Sequence, residues 1–276
     1  TIAVLQKYNF NFQKKFGQNF LINESIKRQI IQAIPNDLER IVEIGPGLGD
    51  LTQKLVQLSG KIECFEIDSE LYEILLDKFA GEISQHKLKI TNADALESWH
   101  EISRQDYFLV ANLPYYVETN MILKALSDSR CKGLVVMIQK EVALKFSAQP
   151  GDSEFSALAI LAGVRGDVEL LFDVPATAFN PEPKVVSAVI RIIKDRNLVE
   201  NFELGEFERF LRSAFVAPRK TLLKNLACFC SKSIVESFLA KHNLPLTTRP
   251  HELCVALYLK LFKEAKNERR ECTNSR

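Results

Sequence analysis

From residue 41 onward, short apolar runs alternate with stretches of helical spacing, and that alternation leaves few folds open. Residues 41–44, 62–67, 88–90, 107–111 and 133–138 read as buried strands. Between them Leu51, Leu55 and Leu58, and then residues 71–79, keep helical spacing. Strand–helix–strand units of this kind close as right-handed crossovers. The expected fold is α/β and Rossmann-like, a mostly parallel sheet with helices on both faces. Residues 168–172 and 186–193 read as later strands that close the sheet and supply an antiparallel edge. Ahead of the first strand, Asn23 is placed to cap a helix carrying Ile26, Ile30, Ile31 and Ile34, which ends at Pro35-Asn36-Asp37.

The texture changes after Lys194-Asp195-Arg196-Asn197. Beyond that polar break only helical spacing persists, as in Phe207, Phe210, Leu211, Ala214 and Phe215. Helices are expected over residues 220–229, 233–242 and 252–265, with a frayed end. The organisation expected is an N-terminal arm (1–22), an α/β domain (23–194) and a small all-α domain (195–276).

Charge separates along the same lines. The 276 residues carry a formal net charge of +1, but residues 29–184 hold 14 basic and 24 acidic side chains, a net of −10. Residues 1–28 are at +4 and residues 185–276 at +7. An acidic middle between basic ends is expected when the ends grip a polyanion and the middle does something else. No apolar run approaches the roughly 20 residues of a membrane-spanning helix. The first residues lack the apolar core of a secretory leader, and the six cysteines have no C-x-x-C or zinc spacing. A cytoplasmic protein with reduced thiols and no metal is the expectation.

Four turns carry chemistry, each directly after a predicted strand, at the sheet edge where open α/β folds bind ligands. Glu43-Ile44-Gly45-Pro46-Gly47-Leu48-Gly49 follows the first strand. Its glycines, Gly45 and Gly47 first, let the backbone approach a ligand with no Cβ in the way. Asp50 breaks the dinucleotide spacing G-x-G-x-x-G, and the pattern resembles the S-adenosylmethionine (AdoMet) loop of Rossmann-like methyltransferases. Glu66 ends the second strand, where a carboxylate can accept both ribose hydroxyls of a nucleoside cofactor. Asp68, two residues on, is placed to start the next helix. Asp94 follows the third strand and can accept from an adenine amino group. Asn112-Leu113-Pro114-Tyr115 follows the fourth. An exocyclic adenine amine is a poor nucleophile because its lone pair is delocalised into the ring. The Asn112 side-chain carbonyl and the Leu113 backbone carbonyl can hold its N–H groups, Pro114 stiffens the turn, and Tyr115 offers a ring on which the base stacks.

That last motif resembles the N-x-P-Y form found in ribosomal RNA adenine methyltransferases. Two further segments, Lys15-Phe16-Gly17-Gln18-Asn19-Phe20-Leu21 and Phe179-Asn180-Pro181-Glu182-Pro183-Lys184-Val185, extend the likeness. From about Lys15 to Leu259 the chain resembles the ribosomal RNA adenine N6-dimethyltransferase family, in its bacterial small-subunit branch. The resemblance implies AdoMet as methyl donor, contacted by Asn19 and Leu21 as well as by Gly45, Gly47, Glu66, Asp94 and Asn112. It implies that Phe179 stacks on the target adenine opposite Tyr115. It implies RNA contacts from Lys14 and Lys15 in the arm and from Arg219, Lys220 and Lys224 in the helical domain. The substrate implied is two adjacent adenosines near the 3′ end of 16S rRNA in the immature small subunit, modified by a monomeric enzyme. The resistance methyltransferases of 23S rRNA share the arm and the motif, and a small-subunit assembly checkpoint is a further alternative.

Overall fold

The computed structural model describes residues 19–58 and 60–274. Lys14, Lys15 and the rest of the arm before Asn19 lie outside the described residues. Nine strands are present among the described residues: β1 (Phe20–Leu21), β2 (Ile41–Ile44), β3 (Ile62–Glu66), β4 (Leu88–Asn92), β5 (Tyr107–Asn112), β6 (Cys131–Gln139), β7 (Asp167–Val174), β8 (Phe179–Asn180) and β9 (Ser187–Ile193). Seven form one sheet in the order β4-β3-β2-β5-β6-β9-β7. Neighbours from β4 through β6 run parallel, and β9 pairs antiparallel with β6. The antiparallel edge read from the sequence is therefore present. Residues 109–110 and 134–136 are wholly buried, as strands covered on both faces must be.

The chain passes outward through β2, β3 and β4, then returns to β5 on the other side of β2. That reversal opens a crevice at the carboxyl ends of β2 and β5. Helix caps behave as their residue types demand. Asn23 Oδ1 accepts from the backbone N–H of Ser25 (2.9 Å) and Ile26 (3.1 Å). Asp68 Oδ1 accepts from Glu70 N–H (3.0 Å) and Leu71 N–H (3.4 Å) to start helix Ser69–Lys78. The helix expected over residues 51–58 shrinks to Thr52–Leu55.

Two compact units result. One runs up to Ala143 and resumes at Val168–Lys194; the other combines Leu144–Asp167 with the chain from Asp195 onward. The break at 194 falls where the composition changes. Residues 144–167, which the sequence reading put in the α/β domain, instead belong to the second unit. There Leu198 N–H donates to Val164 O (3.0 Å) and Gly151 N–H to His251 O (2.8 Å).

The second unit is helical and aromatic at its centre. Helix Asn201–Ala214 buries Phe207 and Phe210, whose rings meet Phe262 of helix Val255–Asn274 at 5.1 and 5.5 Å between centroids. The last run, expected to fray, is helical as far as Asn274. The helix expected over residues 220–229 breaks into Leu222–Asn225 and a tight 3₁₀ turn, Leu226–Cys228. No helix among the described residues is long and apolar enough to cross a membrane.

Candidate active site

The crevice between β2 and β5 is a cleft holding about 880 Å3 of atom-free space, part of it open to solvent. Its floor is the glycine turn. Gly45, Gly47 and Gly49 all adopt positive φ, at 65°, 59° and 73°. A Cβ on Gly45 would meet nothing nearer than Asn112 O at 4.0 Å, so it would project into the cleft. Gly47 is tight for a different reason: a Cβ there would lie 3.1 Å from the ring of Phe20.

Phe20 and Leu21 hold the start of the described chain over this turn. β1 pairs antiparallel with β8, placing Phe20 opposite Asn180 and Leu21 opposite Phe179. The Phe20 ring packs with Leu48, Leu71 and Ile74 beside the cleft. Asn19, Phe20 and Leu21 all line the cleft, as do Gly45, Gly47, Glu66, Asn112, Leu113, Pro114 and Tyr115.

Glu66 is 4% exposed at the end of β3. Its Oε2 accepts from Gly47 N–H and its Oε1 from Asp68 N–H, both at 3.0 Å. Burial pushes its pKa up to about 7 against the pull of those donors. Glu43 lies beneath the turn, 2% exposed, accepting from Thr52 Oγ1 (2.6 Å) and Cys64 Sγ (3.5 Å), and burial raises it also to about 7. The carboxylate at a strand end, the exposed glycine backbone and the apolar walls Leu48, Leu51 and Leu71 together fit a nucleoside cofactor.

The turn after β5 is anchored at three points. Asn112 Nδ2 donates to Asn19 O at 3.1 Å, which commits the amide nitrogen and leaves Oδ1 to serve as an acceptor. Leu113 N–H donates to Met137 O at 3.1 Å. The Tyr115 hydroxyl shares a 2.9 Å hydrogen bond with Ser187 Oγ, a wholly buried group on β9. Just past the motif, Glu118 is 2% exposed and accepts from Gln139 N–H at 2.8 Å. Gln139 and Ser187 face each other across β6 and β9, so one rung of the sheet holds both ends of the turn.

Two expected residues stand elsewhere. Phe179 is 2% exposed, its backbone paired with Leu21 and its ring in the core, and it does not line the cleft. Asp94 caps its own turn through Leu96 N–H (2.8 Å) and is likewise not part of the lining. Tyr116, 61% exposed, joins Tyr115 and Phe20 in the lining. Partial burial raises the Tyr116 hydroxyl pKa, and the nearby charges of Asp94 and Glu66 add to the shift. Sequence reasoning missed Tyr116, Ser187 and Phe20. Tyr116 adjoins the motif and carried a signal in its exposed aromatic type, whereas Ser187 is 72 residues from Tyr115 and carried none.

Removing the Glu66 carboxylate tests the cofactor assignment. Glu66→Ala is expected to weaken AdoMet binding by roughly 1.5–3 kcal/mol, the usual value of hydrogen bonds to a charged group. Wild-type affinity is expected to rise as pH passes through about 7, where Glu66 loses its proton, and the variant to lose that part of the dependence. Calorimetry at pH 6 and 8 measures both, and unchanged affinity removes Glu66 from the site.

The comparisons with known proteins agree with this geometry. Residues 9–267 match the family model described as ribosomal RNA adenine dimethylase. The Ribosomal RNA small subunit methyltransferase A of Campylobacter fetus is 67% identical over 259 residues, covering 94% of this chain and 97% of the relative. The protein of that name from Sulfurimonas denitrificans is 45% identical, covering 94% and 98%. Among solved structures, a dimethyladenosine transferase from Plasmodium falciparum superposes with a TM-score of 0.74 at 25% identity, over 90% of this chain and 98% of that one. The fold of the 23S rRNA methyltransferase ErmE also matches, with a TM-score of 0.71 at 24% identity, over 90% and 100%. The chain belongs to the ribosomal RNA adenine dimethylase family and is an AdoMet-dependent rRNA adenine dimethyltransferase.

Proposed function

We propose that this enzyme dimethylates N6 of two adjacent adenosines in the 3′-terminal hairpin of 16S rRNA, acting as a cytoplasmic monomer on the immature small subunit, without a metal. The observation that carries the chemistry is the anchored Asn112 amide at the mouth of the cleft. With Nδ2 held by Asn19 O, Oδ1 accepts one N–H of the target amine, and the Leu113 carbonyl accepts another. Both acceptors favour a more pyramidal nitrogen with its lone pair aimed into the cleft. Tyr115 and Tyr116 supply the rings for the extruded base, worth ~1–3 kcal/mol per stacked base. AdoMet, when bound, supplies an electrophilic methyl on sulfur; the chain's own residues orient the amine and exclude water. Hairpin adenines are partly unstacked, so extruding one costs less than from a duplex.

The small subunit as substrate is supported by the names of the relatives, which cover nearly the whole chain. RNA phosphates are assigned to Arg219, Lys220 and Lys224 of the helical unit and to Lys14 and Lys15 of the arm. Arg219, Lys220 and Lys224 are exposed on the turn and short helix after Ala217. Asn225 stiffens that turn by donating from Nδ2 to Ala214 O (2.8 Å) and Ala217 O (3.0 Å). Methyl transfer from labelled AdoMet to undermethylated small subunits, compared with large subunits, tests the reading. Label is expected as dimethyladenosine in 16S rRNA; label confined to 23S rRNA refutes it.

A further inference from the structure

The opposite edge of the sheet carries a feature that the methylation reading does not use. Each of three parallel strands is immediately preceded by a cation: Arg40 before β2, Lys61 before β3 and Lys87 before β4. The backbone ladder extends to these residues. Ile41 N–H donates to Lys61 O (3.0 Å), Ile62 N–H to Lys87 O (2.8 Å) and Phe108 N–H to Arg40 O (3.1 Å). Neighbouring strands lie ~4.8 Å apart, so these positions stand side by side. Arg104, ahead of β5, continues the row on the far side of Arg40.

These residues, with Lys89, line a polar cavity holding about 1260 Å3 of atom-free space, again partly open to solvent. Five Lys and Arg side chains and one acid, Glu63, are in its lining. They are five of the 14 basic residues in the otherwise acidic stretch 29–184. Arg40 is fixed at the centre: it pairs with Glu63 and donates from Nη2 to Gln105 Oε1 at 2.6 Å, while its buried Nε has no hydrogen-bond partner among the described residues. At the rim, His86 takes a left-handed φ of 56° just past helix Ala80–Ser84, a place usually given to glycine. Five cations against one carboxylate give the lining a net positive charge, the complement of a polyanion.

We propose that this amino-terminal edge is a second RNA site, which takes a run of backbone phosphates at the end of the sheet opposite the cofactor cleft. The row spans four strands, roughly 14 Å at three strand spacings, which is too broad for a single phosphate and suits a polyphosphodiester. Recognition is by charge, and the site is independent of which adenosine is methylated.

The test combines Lys61→Ala, Lys87→Ala and Lys89→Ala in the full chain; all three side chains are exposed. Binding is measured to a 16S rRNA transcript and to undermethylated small subunits between about 50 and 200 mM salt. The triple variant is expected to bind roughly tenfold more weakly at the low-salt end, with a salt slope shallower by about two to three, near 0.9 per lost phosphate contact. The matching triple Lys→Arg variant is expected to bind as wild type. AdoMet affinity and the rate at saturating subunits are expected to be unchanged. Unaltered RNA affinity and slope overturn the proposal. So does normal binding to the naked transcript with weaker binding to subunits, which would assign the edge to a ribosomal protein. Failure of the 16S assignment itself shows separately, in the wild-type methylation pattern.

Discussion

Replacing Asn112 with alanine is expected to lower the rate of methyl transfer roughly 10²–10³-fold, in the range seen when one preorganised polar group is removed from an active site. The side chain does two things at once. Its amide nitrogen ties the end of β5 to Asn19 O, and its oxygen is then turned to accept from the target amine. Alanine removes the acceptor, and a free adenine amine keeps its lone pair in the ring. The fold is expected to survive, because Asn112 is only part-buried and its backbone pairing with Met137 does not depend on the side chain. Single-turnover rates with AdoMet and small subunits measure the effect, alongside calorimetric AdoMet affinity. A rate within threefold of wild type, as an order-of-magnitude threshold set against the expected loss, would falsify the role given to Asn112.

The largest stability loss is expected at Gly49, the last glycine of the turn. A Cβ built there falls 2.4 Å from Phe79 Cε2 and 2.9 Å from Leu75 Cδ2, and those side chains are 3% and 0% exposed. Neither has room to withdraw. The left-handed backbone, φ 73°, adds its own penalty of roughly 1–2 kcal/mol. Gly49→Ala is therefore expected to cost about 2–5 kcal/mol, read as a lower urea midpoint. Gly45→Ala is expected to behave differently. Its Cβ has space in the fold, so the variant should lose only the roughly 1–2 kcal/mol of its own left-handed backbone, φ 65°, while AdoMet binding falls. If the two variants lose equal stability, the distinction between a packing glycine and a cofactor glycine is wrong.

That distinction marks how far local pattern reaches. The seven strands of the large sheet, the caps at Asn23 and Asp68 and the position of every turn at the carboxyl edge were legible, because apolar periodicity and capping residues act over a few positions, whereas the short β1–β8 pair was not. The glycine turn was legible as a turn, but its three glycines looked alike; only the packing of Phe79 and Leu75 sets Gly49 apart. What stayed hidden depends on contacts distant in sequence. Phe179, whose ring the family likeness placed against the base, is paired through its backbone with Leu21 and lies in the core cluster. Ser187 holds Tyr115 from another strand, and Asn225, at the end of the shortened helix, bonds back to Ala214 and Ala217. The unit to which residues 144–167 belong also follows from such contacts, since their own spacing suits either.

The Cys64 thiol, sealed between the sheet and the cofactor turn, has a practical consequence. Its surroundings, burial first and then the Glu43 carboxyl it donates to, hold its pKa well above the ordinary thiol value. Electrophiles attack the thiolate, so this sulfur is chemically silent while the sheet is intact. Cys228, by contrast, is exposed. A thiol reagent therefore reaches Cys228 in the folded chain and Cys64 only when the strands beneath the cofactor part.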